Sequence, residues 1–173
     1  FDDLRRLQGG ELIEELDGAI SKYGLDEVVV LCRSNLRANK YNMGIRQTVL
    51  FMEEQLTRGD KLMIVKNCYQ FLENVPDLDF IANGDVAELV RIGNYEERYG
   101  LHFAQATLRF PDYNNVEIDA KVILDTLTSV TPSLDREQQQ ALFEGVYADY
   151  SDITIRKKRM EKVREDKYFN ALQ

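Results

Sequence analysis

The stretch Arg33-Ser34-Asn35-Leu36-Arg37-Ala38-Asn39, with Asn42 and Arg46 shortly after it, gathers guanidinium, hydroxyl and amide groups. At the carboxyl end of a strand and the start of a helix, such groups can hold a phosphate oxygen or a base edge. The same residues also make an ordinary polar turn. A second concentration is Gly59-Asp60-Lys61-Leu62-Met63-Ile64-Val65-Lys66-Asn67, followed by Tyr69 and later by Asn83-Gly84-Asp85. Read plainly, it is a strand and a hairpin turn. Read functionally, Lys66, Asn67 and Tyr69 sit on the rim of a barrel, where amides and rings meet an unpaired nucleic-acid strand. Third comes a basic stretch over 154–165 with Arg156, Lys157, Lys158, Arg159, Lys162 and Arg164, either a solvated face or a set of phosphate contacts.

Nothing comparable speaks for catalysis. The chain has no G-x-x-x-x-G-K-S/T loop to cradle phosphates, and the carboxylates between Asp112 and Asp119 lack calcium-loop spacing. Its single histidine, His102, lies in a strand-like run with no second histidine and no G-x-S-x-G elbow, so it reads as structural. No catalytic residue and no metal ligand is expected. Cys32 and Cys68 lack C-x-x-C spacing and read as reduced structural thiols of a cytoplasmic protein.

The elements that must position these groups follow from periodicity. Leu12, Ile13, Leu16, Ala19, Ile20 and Tyr23 predict an amphipathic helix over 10–23, with Gly24 as a left-handed cap. The β-branched run 27–32 predicts a strand buried on both faces, as in a mostly parallel α/β sheet, and 36–56 a second helix with Gly44 as its weak spot. From Gly59 the period becomes two, and strands are expected at 61–66, 85–92, 101–109 and 116–118, with tight turns at Asn83-Gly84-Asp85 and Ile92-Gly93-Asn94. Short strands with polar loops suggest a small β-barrel. Residues 122–127 fit either strand or short helix. Ser133 is the expected N-cap of a helix over 134–149, and the basic stretch is a further helix.

Charge argues against a broad nucleic-acid surface. The net charge of −8 divides into +4 over residues 154–173 and −12 over the rest, so any DNA contact must be local. No apolar run is long enough for a membrane span, and the start at Phe1 has neither an initiator methionine nor a signal core, so the chain reads as a soluble internal piece.

In this order the motifs resemble the second motor domain of RecD-like superfamily 1 DNA helicases, the exodeoxyribonuclease V alpha-subunit family. The resemblance rests on Val28-Val29-Val30-Leu31-Cys32-Arg33-Ser34-Asn35, on the helix bearing Asn42 and Arg46, and on the Gly59 to Asn67 strand paired with the Asn83-Gly84-Asp85 turn. It is most similar to the Bacteroidetes-type members, which share the ending Lys167-Tyr168-Phe169-Asn170-Ala171-Leu172-Gln173, and it covers nearly the whole chain.

The resemblance implies an α/β fold. Residues 1–58 would be part of the second RecA-like motor domain, 59–132 an inserted Src-homology-3-like barrel, and 133–173 a helical extension leading back to the motor. It implies single-stranded DNA contacts by Arg33, Ser34, Asn35, Asn42 and Arg46, while Lys66, Asn67, Asn83 and Asp85 would shape the barrel's junction with the motor and its DNA contact. ATP and Mg²⁺ would serve the parent protein, whose phosphate loop would precede Phe1 and whose Thr-x-His-x-x-Gln-Gly block would follow Gln173. The expected partners are single-stranded DNA, the remaining motor domain and nuclease-helicase subunits, in a cytoplasmic protein of recombination and repair. The rival expectation is a non-enzymatic protein-interaction module that uses the barrel or the basic helix.

Overall fold

Leu12, Leu16 and Ile20 recur along one face of α1 (Leu12–Tyr23), the first helix of the computed structural model, which describes residues 3–72, 78–129, 131 and 133–172. Acidic Glu14 and Glu15 at its start and Lys22 at its end complement the helix dipole. Gly24 ends it at φ 91° and ψ 156°, a positive-φ conformation that glycine adopts freely but not the left-handed helical cap expected. By contact the chain divides into two units, residues 1–55 and 56–173.

In the first unit the expected buried strand is absent. Leu25–Glu27 form a single 3-10 turn, and the run from Val28 to Cys32 has no strand partner among the described residues. Val29 and Leu31 are 79% and 90% exposed. β-branched side chains favour an extended backbone by their own sterics, but burial on two faces needs flanking strands and helices, and the described residues supply none there. Helix α2 (Asn35–Gly44) then starts at Ser34, whose hydroxyl accepts from the Arg37 N–H at 3.4 Å. It is shorter than the sequence suggests. At Gly44 the α geometry gives way to a π-helical turn over Ile45–Val49, where the Thr48 hydroxyl donates to the Gly44 carbonyl at 2.6 Å. Leu16 and Val49 are the buried apolar residues of this unit.

The second unit is built on an antiparallel meander, β1 (Lys61–Met63), β2 (Val86–Arg98), β3 (Leu101–Phe110) and β4 (Val116–Ile123), in the order β1-β2-β3-β4. The sheet curls into a half-barrel. Register shifts between Leu89 and Arg91 and between Gly93 and Glu96 bend β2, as bulges do. The turn expected at Ile92-Gly93-Asn94 is therefore a bulge, with Asn94 at φ 50°, and pairing resumes at Glu96↔Phe103. The true reversal is Tyr99-Gly100. Both residues have positive φ, 54° and 72°, the signature of a two-residue type I′ hairpin, and they join Arg98↔Leu101. Residues 122–127 divide between the two readings, since Val122 and Ile123 finish β4 and Leu124–Leu127 wind into a 3-10 helix.

Strand β3 faces two cores. Ala104, Ala106, Leu108 and Phe110 alternate onto one side and pack with Leu56, Ile81, Ala87, Leu89, Ile118 and Leu124. Leu101 and Phe103 turn to the other side and pack with Leu134, which lies just before α3, and with Leu142, Val146, Val163 and Tyr168 from the helices that follow the sheet. Those are α3 (Arg136–Asp149), α4 (Arg156–Glu165) and α5 (Lys167–Asn170). Helix α3 begins two residues after the expected position, because Asp135 and Gln138 exchange hydrogen bonds in a capping box and so outcompete Ser133.

The hairpin tip is fastened to α3. Tyr99 donates its hydroxyl to Asp149 Oδ2 at 2.6 Å, and the Arg98 guanidinium pairs with the same oxygen at 3.0 Å. Burial and the Asp149 carboxylate push the Tyr99 phenol well above its usual range, which keeps it a donor. Its ring lies on Gly145, where a Cβ would stand 2.9 Å from Tyr99 Cε1 and overlap the ring at Cδ1. Replacing a mid-helix glycine by alanine ordinarily stabilises by about 0.5–1 kcal/mol. Here the sign should reverse, with Gly145→Ala lowering stability by about 1–3 kcal/mol through overpacking. Urea unfolding measures it, and a gain in stability would mean that the hairpin tip is not seated on α3.

Candidate nucleic-acid interface

After β1 the chain continues as a looser ribbon against the segment that leads into β2. The Ile64 N–H reaches the Asp85 carbonyl and the Gly84 N–H the Ile64 carbonyl, both at 2.8 Å, and Cys68 and Ile81 exchange two backbone bonds of 2.9 Å. The two motifs singled out in the sequence are thus knitted together. Asn67 Oδ1 accepts from the Asn83 N–H at 2.9 Å, which pins the strand end to the turn.

Gly84, at φ 99°, makes the turn possible, and Asp85 closes it by accepting from the Ala82 N–H at 2.7 Å. The Tyr113 hydroxyl also donates to Asp85 at 2.5 Å, and that carboxylate raises the Tyr113 phenol above its usual range. Asp85 is therefore committed to holding the turn. Lys66, Asn67 and Asn83 instead face an open groove of about 570 Å³ shared with Val65, Tyr69 and Leu172. Lys66 Nζ donates to the Leu172 carbonyl at 3.3 Å. On the groove's border Tyr69 stacks on Phe80, with ring centroids 5.6 Å apart and planes at 29°, and 64% of Tyr69 remains exposed. A ring backed on one side and open on the other is a stacking platform, beside it a cation and two amides.

The remaining expected site residues lie in the first unit. Arg33, Asn35 and Asn42 are exposed, and Asn35 and Asn42 stand seven residues apart on one face of α2, roughly 10 Å along its axis. Ser34 is occupied as the helix cap. Arg46 donates to the Glu54 carbonyl at 2.6 Å.

Elsewhere, His102 is exposed and its Nδ1 lies 3.1 Å from Asp125 Oδ1, so the carboxylate raises the imidazole above its usual range. Sequence reasoning missed Phe80 and Leu172. Phe80 stands at the start of the stretch that holds the Asn83-Gly84-Asp85 turn but was given no role of its own, and Leu172 comes from more than a hundred residues away from Lys66 along the chain. It also missed the polar knot behind β2, where Glu96 pairs with the Lys121 ammonium and accepts from the Tyr168 hydroxyl. Lys121 and then Tyr168 hold the Glu96 carboxyl below its usual range.

No family model matches the chain, and neither does any curated protein. No helix among the described residues is long and apolar enough to cross a membrane.

Proposed function

We propose that this chain is part of the motor region of a RecD-like DNA helicase and that its groove contributes single-stranded DNA contacts during translocation and unwinding. The observation that carries the reading is the meeting of Lys66, Asn67 and Asn83, drawn from two separated motifs, beside an exposed aromatic pair. One base would stack on Tyr69, Lys66 would exchange its bond with the Leu172 carbonyl for one with a phosphate, and the amides would meet sugar or base edges. The exposed residues Arg33, Asn35 and Asn42 would be a further part of the DNA path in a RecA-like domain.

The groove does not suit ATP with Mg²⁺. Its lining offers one cation, amides and a phenol, and no carboxylate to carry the metal. Phosphoryl transfer needs a phosphate cradle, a metal and an arginine together, so in this reading the chain grips DNA and hydrolysis belongs to other parts of the parent. A protein-interaction module is the second reading. The exposed apolar run at Val29 and Leu31 favours it, together with the net charge of −8.

Fluorescence anisotropy with labelled oligo-dT and a duplex of equal length separates the two. The helicase reading expects salt-dependent binding with preference for the single strand. Equal affinity for both DNAs, or no binding at low salt, transfers the weight to the interaction module.

A further inference from the structure

Helix α4 has a charge pattern that its own stability does not explain. Its first turn holds Arg156, Lys157 and Lys158 and no acid, its N-cap is Ile155 without a side-chain cap, and cations at that end oppose the helix dipole. Two of its six cations are used internally. Arg159 donates to the Tyr147 carbonyl with its guanidinium 3.7 Å from the Tyr147 ring centroid, and Lys162 pairs with Glu165 at 2.8 Å. Among the described residues Arg156, Lys157, Lys158 and Arg164 make no ion pair. Arg156, Lys157 and Arg164 border an open depression of about 460 Å³ with Met160 and Glu161.

The rest of this unit makes the concentration informative. Residues 56–153 carry eight Lys or Arg against seventeen Asp or Glu, so α4 is a basic strip on an acidic body. A polyanion is steered to such a strip and kept off the remainder. Leu172, on the groove wall, lies seven residues beyond Glu165, so at most about 25 Å of extended chain separates the end of α4 from the groove. One nucleic-acid strand can span both.

We propose that α4 is a second phosphate-binding face, which holds the backbone of the same single strand whose base stacks at Tyr69. This rests on the groove reading, and the two sites divide the work. The groove supplies stacking on Tyr69, which is insensitive to salt, with a single phosphate contact at Lys66, and α4 supplies most of the phosphate neutralisation with counterion release. Each lost phosphate contact on a single strand reduces the slope of log K against log salt by about 0.7.

The test is oligo-dT anisotropy across a salt series for wild type, for the triple variant Arg156→Gln/Lys157→Gln/Arg164→Gln, and for Tyr69→Ala. The triple variant should bind more weakly and lose about 2 from the slope, while Tyr69→Ala weakens binding with the slope intact. A charge-conserving Arg156→Lys/Lys157→Arg/Arg164→Lys variant should retain the wild-type slope, which separates charge from folding. If Tyr69→Ala weakens binding but the triple variant keeps wild-type affinity and slope, α4 is not a DNA face and the groove reading stands; an acidic protein segment is then its better occupant. Failure of wild type to bind oligo-dT at low salt overturns both.

Discussion

Tyr168→Ala should destabilise the second unit by about 3–5 kcal/mol, the range for deleting a buried aromatic side chain. Tyr168 is 3% exposed and sits where the second core meets the polar knot. Its ring stands edge-on to Phe103 and Tyr99, at centroid distances of 5.0 and 5.6 Å, and the Lys121 ammonium lies 4.6 Å from its centroid. Removing the ring leaves a cavity against Phe103 and deprives Lys121, itself 7% exposed, of part of its surroundings. Tyr168→Phe keeps the ring and loses the hydroxyl bond to Glu96, so about 1.5–3 kcal/mol is expected, as for a bond to a charged group. Urea titrations of the three proteins should give midpoints in the order wild type, Phe, Ala, with similar slopes. An Ala variant within 1 kcal/mol of wild type would mean that α5 is not part of the cooperative unit.

Tyr69→Ala should weaken oligo-dT binding about five- to 150-fold, because stacking on an aromatic side chain contributes about 1–3 kcal/mol per base. Tyr69→Phe should bind within about threefold of wild type, since the platform is the ring. Phe80→Ala should fall between them, because Phe80 backs Tyr69 from behind. Tyr69 is exposed and lies outside both cores, so the variant's unfolding midpoint should hardly move. Titrations of the four proteins at one salt concentration decide this. Equal affinity for Tyr69→Ala and wild type would leave the groove without a stacking role.

What could be read in the sequence follows from how locally each feature is encoded. The Asn83-Gly84-Asp85 turn was legible because glycine's positive φ and an aspartate reaching back to a nearby N–H are settled within four residues. Ile92-Gly93-Asn94 has the same residue types and became a bulge, since the choice between turn and bulge depends on whether the next residues find partners on β3. Tyr99-Gly100 was overlooked because a tyrosine at φ 54° is uncommon; here its hydroxyl bond to Asp149 and its seat on Gly145 hold it there. The run 27–32 reads as strand from its side chains, yet pairing is a property of neighbours, and the described residues provide none. The meeting of Lys66 and Asn67 with Asn83 was foreseeable from the two motifs. The wall supplied by Leu172 and the backing by Phe80 arise from tertiary packing that no spacing records.

The central claim is that the groove beside Tyr69 holds a single strand. Backbone amide chemical shifts of the isotopically labelled chain, followed through a titration with oligo-dT, test it residue by residue. A strand held in the groove gives saturating shifts clustered at Val65, Lys66, Asn67, Tyr69, Phe80, Asn83 and Leu172, with a smaller set along α4. Shifts that leave these amides unmoved while others respond, or no shifts at all at low salt, would contradict it.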